Sequence, residues 1–192
     1  MTRATVLLSL VIGFGFGSAM ARAGDEVDFT RPRAFVGGGI AGAFNVGDFD
    51  PAGNSIGMDV RGGYRFHPHV AVEGQLGYFN NVGGDFGGGD VDLRTLSFTA
   101  NVKKFFPIGA GRWQPYLLAG IGVTRAKADV DFLGSTVSDR SETAFTLRSG
   151  AGVEFYINPH VNLYTEATYM FLTGGLHGAG FVPVVFGAQY QF

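Results

Sequence analysis

Two imidazoles flank a proline at His67-Pro68-His69, but a metal site needs three or four protein ligands and no third histidine or carboxylate follows nearby. The stretch reads as turn chemistry. His177 is followed by Gly178 and Ala179, so no serine stands close enough in sequence to serve as a nucleophile beside it. The run from Gly83 to Asp92 has the glycine and aspartate content of a calcium-binding turn, yet such turns bind by stacking several copies, and this is one. With no cysteine in the chain, thiol nucleophiles, thiolate zinc sites and disulfides are excluded. No catalytic, metal-binding or cofactor-binding residue is expected, and the chain reads as a protein that is not an enzyme.

The chemistry left is electrostatic. Charged residues recur at alternate positions inside otherwise apolar stretches: Asp59, Arg61 and Arg65, then Glu73, Lys103, Arg148 and Glu154, and Glu166. Their alternation puts them on one side of extended chain, four acids against four bases. If that side is enclosed, the eight must meet one another, because a buried charge without a partner costs several kcal/mol. If some lie at strand ends in water, each pair contributes little.

Eight period-two segments carry these residues: 34–44, 56–66, 70–79, 92–105, 114–128, 143–157, 161–172 and 181–192. Most are longer than an ordinary strand and match the ~9–11 residues that cross a bilayer at a tilt. Three short turns bearing prolines (67–69, 107–113 and 158–160) alternate with four longer polar, glycine-rich connections (45–55, 80–91, 129–142 and 173–180). That alternation places every long loop at one end and both chain ends at the other.

The first residues differ from the rest. Arg3, an apolar stretch from Val6 to Phe16, and small residues up to Ala21 and Ala23 have the layout of a secretory signal peptide, so residues 1–23 are expected to be removed and 24–192 to form one domain. Arg3 and Arg22 would leave with it, taking 14 basic residues to 12 against 16 acidic ones. An acidic mature chain is not expected to bind nucleic acid.

Alternation alone fits a membrane barrel with apolar residues outside or a soluble barrel with apolar residues inside. Two features favour the first. Aromatics gather near the short turns (Phe66, Phe105, Phe106, Trp113, Tyr116, Phe155, Tyr156, Tyr190, Phe192) and near the far ends (Phe44, Tyr78, Phe79, Phe171, Phe181), as two membrane interfaces would select. The chain also ends on Tyr190-Gln191-Phe192, apolar and polar in turn up to the last residue.

In its hairpins around Gly63-Tyr64-Arg65-Phe66-His67-Pro68-His69, its stretch Pro115 to Gly120 and its terminal Phe192, the sequence resembles the small eight-stranded outer-membrane barrels of the OmpA/OmpX type. The resemblance implies an all-β, antiparallel, up-and-down transmembrane barrel in the bacterial outer membrane, with both termini periplasmic. Tyr190 and Phe192 would be the signal read by the barrel-assembly machinery. The partners implied are outer-membrane lipid, lipopolysaccharide and a host or cell-surface ligand at the long loops. Ending at the last strand, the chain is expected to lack the peptidoglycan-binding domain that OmpA itself carries. A plugged lumen with a structural or adhesin-like role is the expected function, and a narrow channel for ions or small solutes is the alternative. The acidic loops suggest divalent ions shared with lipopolysaccharide phosphates. The pattern fits least well where Leu117 and Leu118 are adjacent and where glycines 37 to 39 and 42 interrupt it.

Overall fold

The structure, a computed structural model, describes residues 28–45, 55–81, 84–86, 89–109, 111–132, 135–173 and 180–192. The expected signal segment, His177 and the side chain of Phe44 lie outside that set. Described strands are β1 (Arg33–Asn45), β2 (Ser55–His67), β3 (Val70–Asn81), β4 (Gly84–Phe86), β5 (Gly89–Phe105), β6 (Trp113–Phe132), β7 (Ser135–Asn158), β8 (Val161–Thr173) and β9 (Gly180–Gln191). All pairings are antiparallel between sequence neighbours, except that β3 pairs with β5 and β1 with β9. Those two pairings close the sheet. Eight long strands thus form a barrel without an edge, which is how a sheet meets its backbone hydrogen bonds in lipid; β4 is a short flap on β5.

The turns explain the closure locally. Asn158 Oδ1 accepts from the amides of His160 at 2.8 Å and Val161 at 2.9 Å, a side-chain-capped turn that reverses the chain in two residues. Between β5 and β6, Gly109 (φ 59°) and Gly111 (φ 76°) take up left-handed backbone that a Cβ would strain. At the last strand, Phe192 N donates to Ala34 O at 3.0 Å, so the ladder to β1 runs to the final residue.

Strand alternation sorts the faces. Val72, Leu76, Leu96, Phe98, Ile121, Leu147 and Phe186 are exposed on the outer surface, while the charged residues opposite them in sequence point inward and are buried. Leu117 and Leu118 do not break the rule: Leu117 faces out and Leu118 joins an inner cluster with Phe35, Ala71, Phe105 and Tyr116. The glycines have a packing reason. A Cβ on Gly39 would stand 2.8 Å from Tyr164 Oη, one on Gly187 2.5 Å from it, and one on Gly152 2.5 Å from Tyr116 Oη. Each inward tyrosine lies across a glycine of the neighbouring strand, Tyr116 over Gly152 and Tyr164 over Gly187.

Two expectations need correction. Phe79, Phe105, Tyr116 and Tyr156 belong to the interior, not to the outer aromatic bands, because alternation continues to the strand ends. Of the adjacent pair Phe105 and Phe106, only Phe106 is exposed. The outer band by the short turns consists instead of Phe66, Phe106, Trp113, Tyr190 and Phe192, with half-buried Phe155 against Trp113 at 4.6 Å. The stretches 80–91 and 129–142 are also not simple loops. Asp90 pairs with Asp131, Asp92 with Asp129 and Asp129 with Asp139, so β5, β6 and β7 continue beyond the barrel as hairpin. Polar composition suggested solvated loop, but an antiparallel hairpin satisfies its own backbone bonds and tolerates charge on both faces.

Candidate functional site: the charged lumen

The inward charges lie mid-barrel, supplied by five strands. On β2, Arg61 Nε reaches Asp59 Oδ2 at 2.7 Å and its Nη1 reaches Glu166 Oε2 on β8 at 3.0 Å, while its guanidinium lies 4.0 Å over the Tyr164 ring. Lys103 Nζ on β5 stands 2.6 Å from Glu73 Oε2 on β3, with Glu166 at 3.8 Å and Glu154 at 3.9 Å. Arg148 Nη2 on β7 donates to Glu166 Oε1 at 2.7 Å. Glu166 is the hub: it also accepts from Tyr116 Oη at 2.7 Å. Neutral groups take up remaining capacity, Gln75 and Tyr164 on Asp59, Asn101 on Glu73, Asn162 and Tyr156 on Glu154.

Of the eight residues singled out by sequence, seven share this chain of ion pairs. Arg65 is apart. It donates to Gln114 Oε1, to Pro68 O and, at 3.4 Å, to Tyr156 Oη, and it lies 4.1 Å over the Phe105 ring. Only Tyr156 connects it to Glu154. Among the described residues four positive and four negative side chains lie buried in the lumen, and paired, hydrogen-bonded charges are the form in which burial is tolerable.

Apolar layers lie on either side. Toward the turns are Phe35, Ala71, Phe105, Tyr116 and Leu118; toward the loops are Ala41, Ala43, Phe79 and Val185, with Phe181 edge-on to Phe79 at 5.8 Å. The turn-end mouth is further covered by the residues before β1. Phe29 is buried against Tyr156, ring centroids 5.4 Å apart, and its carbonyl accepts from Gln114 Nε2 at 3.2 Å. Asp28 Oδ1 accepts from Thr30 N and Oγ1 at 2.8 and 2.7 Å, and those bonds hold its carboxyl below the usual carboxylate range. Arg33 ties the segment to the Pro159 carbonyl.

A sequence profile described as Outer membrane protein beta-barrel domain matches residues 9–192. The chain belongs to that outer-membrane barrel family. Its fold resembles Neisserial surface protein A, NspA, at 19% identity and TM-score 0.67, covering 83% of this chain and 97% of the other. The attachment invasion locus protein Ail of Yersinia pestis, in complex with the heparin analogue sucrose octasulfate, matches at 20% identity and TM-score 0.61, covering 84% and 99%. The N-terminal barrel of Pseudomonas aeruginosa OprF matches at 16% and 0.51, covering 84% and 100%. Among curated proteins, nothing matches the sequence.

This outer-membrane barrel holds, among its described residues, no group of three or more His, Asp or Glu side chains arranged for a metal ion. His67 and His69 lie with ring centroids 5.5 Å apart at the exposed first turn. Sequence reading missed Tyr116, Tyr164 and Gln75 as parts of the network and Phe29 as its cover. Parity could have found Tyr164, in phase with Glu166, and Gln75, in phase with Glu73; Tyr116 shares its phase with Gln114 and with no charged residue of its strand. Phe29 lies outside any periodic segment and carried no such signal.

Proposed function

We propose that this barrel is a non-conducting outer-membrane protein that acts as an envelope structural or surface-interaction, adhesin-like protein through its loop end. In this reading the short turns and both termini are periplasmic, residues 1–23 are a cleaved signal peptide, and Tyr190 and Phe192 form the signal for the barrel-assembly machinery. Lipopolysaccharide and a host or cell-surface ligand are the partners at the loop end, and the protein has no enzymatic role. One observation carries the plug: seven mid-lumen charges are joined in one chain of ion pairs between two apolar layers, and with Arg65 beside them the described lumen charges are four of each sign. Planar-bilayer recording of the purified chain tests it. A silent bilayer is expected, and steady unitary openings would overturn the plug.

A narrow channel is the second reading, and a specific feature favours it. Gln189 Nε2 and Oε1, Asn162 Oδ1 and Gln191 Oε1 are buried without a hydrogen-bond partner. Asn162 pairs directly with Gln189 across the β8–β9 ladder, so these atoms form a polar strip at the turn end of the lumen. A channel would need such a strip to continue past Glu166, where Arg61 and Arg148 now meet. If Glu166→Gln opened a conductance that the parent lacks, the ion-pair hub would be the barrier.

A further inference from the structure

Beneath Phe29 the lumen holds a layer of polar side chains that the ion pairs do not satisfy. Arg65, Gln114, Tyr156, Asn162 and Gln191 each stand within two residues of the turn end of their strand, and Gln189 is one inward step deeper. Tyr156 Oη accepts from Gln191 Nε2 and, at 3.4 Å, from Arg65 Nη1, and it donates to Glu154 Oε2 at 3.2 Å; Asn162 Nδ2 donates to the same oxygen at 3.1 Å. Five atoms of the layer are then buried without a hydrogen-bond partner among the described residues: the donors Arg65 Nε and Gln189 Nε2, and the acceptors Asn162 Oδ1, Gln189 Oε1 and Gln191 Oε1. A polar atom that gives up water and gains no partner destabilises the arrangement that buries it.

The segment that closes this layer at the turn end is held by few contacts. Asp28 to Pro32 precede β1, and among the described residues none of them has a partner in the strand ladders. Phe29 rests on Tyr156 with the Arg112 guanidinium 5.6 Å over its ring, and its carbonyl is bonded to the wall through Gln114 Nε2. The two bonds from Thr30 to Asp28 are internal to the segment, so it can swing as one piece about Arg33, which is tied to Pro159. Such a swing breaks no strand pairing. It uncovers one phenyl ring and releases one amide bond, and it lets water reach polar atoms that lack partners in the closed arrangement. Losses and gains of this kind oppose each other, which is the condition for a local opening of low cost.

We propose that residues 28–32 are a hinged lid, and that its opening turns the amide layer into a blind vestibule for small uncharged molecules carrying hydrogen-bond donors and acceptors. The vestibule opens at the turn end and stops at the ion-pair hub around Glu166. Its walls fix the class of occupant. Three amide oxygens, one amide nitrogen and Arg65 Nε offer both senses of hydrogen bond. Ions suit it poorly, because Arg65 and Lys103 on one hand and Glu154 on the other confront a charge of either sign with its like. The inference goes beyond the plug, which it uses only as the inner end of the vestibule, and it holds for either orientation of the barrel.

The chain has no cysteine, so a single introduced thiol reports access. The test places Gln189→Cys in the layer and, in a second protein, Thr146→Cys on the loop side of Arg148, each in the full chain in nanodiscs, where both faces are open to reagent. The probe is methyl methanethiosulfonate, small and uncharged, beside its trimethylammonium and sulfonate analogues. Adding Phe29→Ala is expected to raise the rate of the uncharged probe at Gln189→Cys about tenfold, with both charged analogues about tenfold slower than it, and to leave Thr146→Cys within about twofold. Heat-shifted mobility in detergent gels confirms folding of each, and Asn162→Cys is a second reporter in the same layer. An unchanged rate at both reporters of the layer would overturn the lid. Charged analogues as fast as the uncharged probe would overturn the class of occupant. Acceleration at Thr146→Cys equal to that at Gln189→Cys would overturn the blind end, and the plug with it, while the lid would stand.

Discussion

Arg61 and Arg65 are four residues apart on one strand and one face, yet they occupy opposite kinds of interior. Arg61 lies mid-barrel among Asp59, Glu73 and Glu166. Arg65, near the turns, has only neutral acceptors and an aromatic ring. The difference teaches that alternation decides which residues enter the lumen, while position along the axis decides what they meet. Mid-barrel, five strands bring charges of both signs together. At the turn end the wall is aromatic and amide-bearing, so a cation there is held by dipoles and a π face.

Breaking the hub should have the largest effect. Glu166→Gln removes the carboxylate shared by Arg61, Arg148 and Lys103, and an uncompensated buried charge costs about 3–5 kcal/mol. Urea unfolding in detergent micelles, with Arg61→Met as the reciprocal variant, should show losses of that size for both. Comparable losses from Arg65→Met would erase the contrast between the regions. Its expected loss is smaller, about 1–3 kcal/mol, because only neutral acceptors are left unpaired.

Phe29→Ala sharpens the turn-end side of the comparison. The cover belongs to a segment preceding the first strand, so the expected outcome is local: faster amide exchange around Thr30 and Gln114 and readier proteolysis before β1, with global unfolding nearly unchanged. A large drop in global stability would show that the cover belongs to the core.

The smallest effect expected is one of pH. Asp28 is held below the ordinary carboxylate range by Thr30, so its contribution to the cover is present above the unfolded value and is lost as pH falls through the lower folded one. Exchange protection at Thr30 should therefore hold from neutral pH down to about pH 4 and decline only below it. Asp28→Asn should flatten that dependence; an unchanged profile would assign it to another group.

Much of the architecture was legible because a strand has period two and a membrane imposes a length. Val72 outward and Glu73 inward follow from that period once the apolar face is assigned to lipid. Leu117 and Leu118 obscured the pattern only because the inner wall of a barrel also needs apolar layers. The reach of β6 and β7 beyond the barrel was hidden for a different reason: Asp129, Asp131 and Asp139 carry the composition of a loop, and their pairing is a property of two strands, not of either alone.

Taken by itself, the order of residues determined strand phase, strand length, the alternation of short and long connections and the charge balance of the inward face. Only the closed structure decided that Glu166 would hold Arg61 from 105 positions away while Arg65 would hold none of the acids. Sequence phase is a local property of the extended chain, whereas a contact across the lumen depends on the tilt, register and closure of the whole sheet, and on the glycines that let Tyr164 and Tyr116 lie over the neighbouring strands.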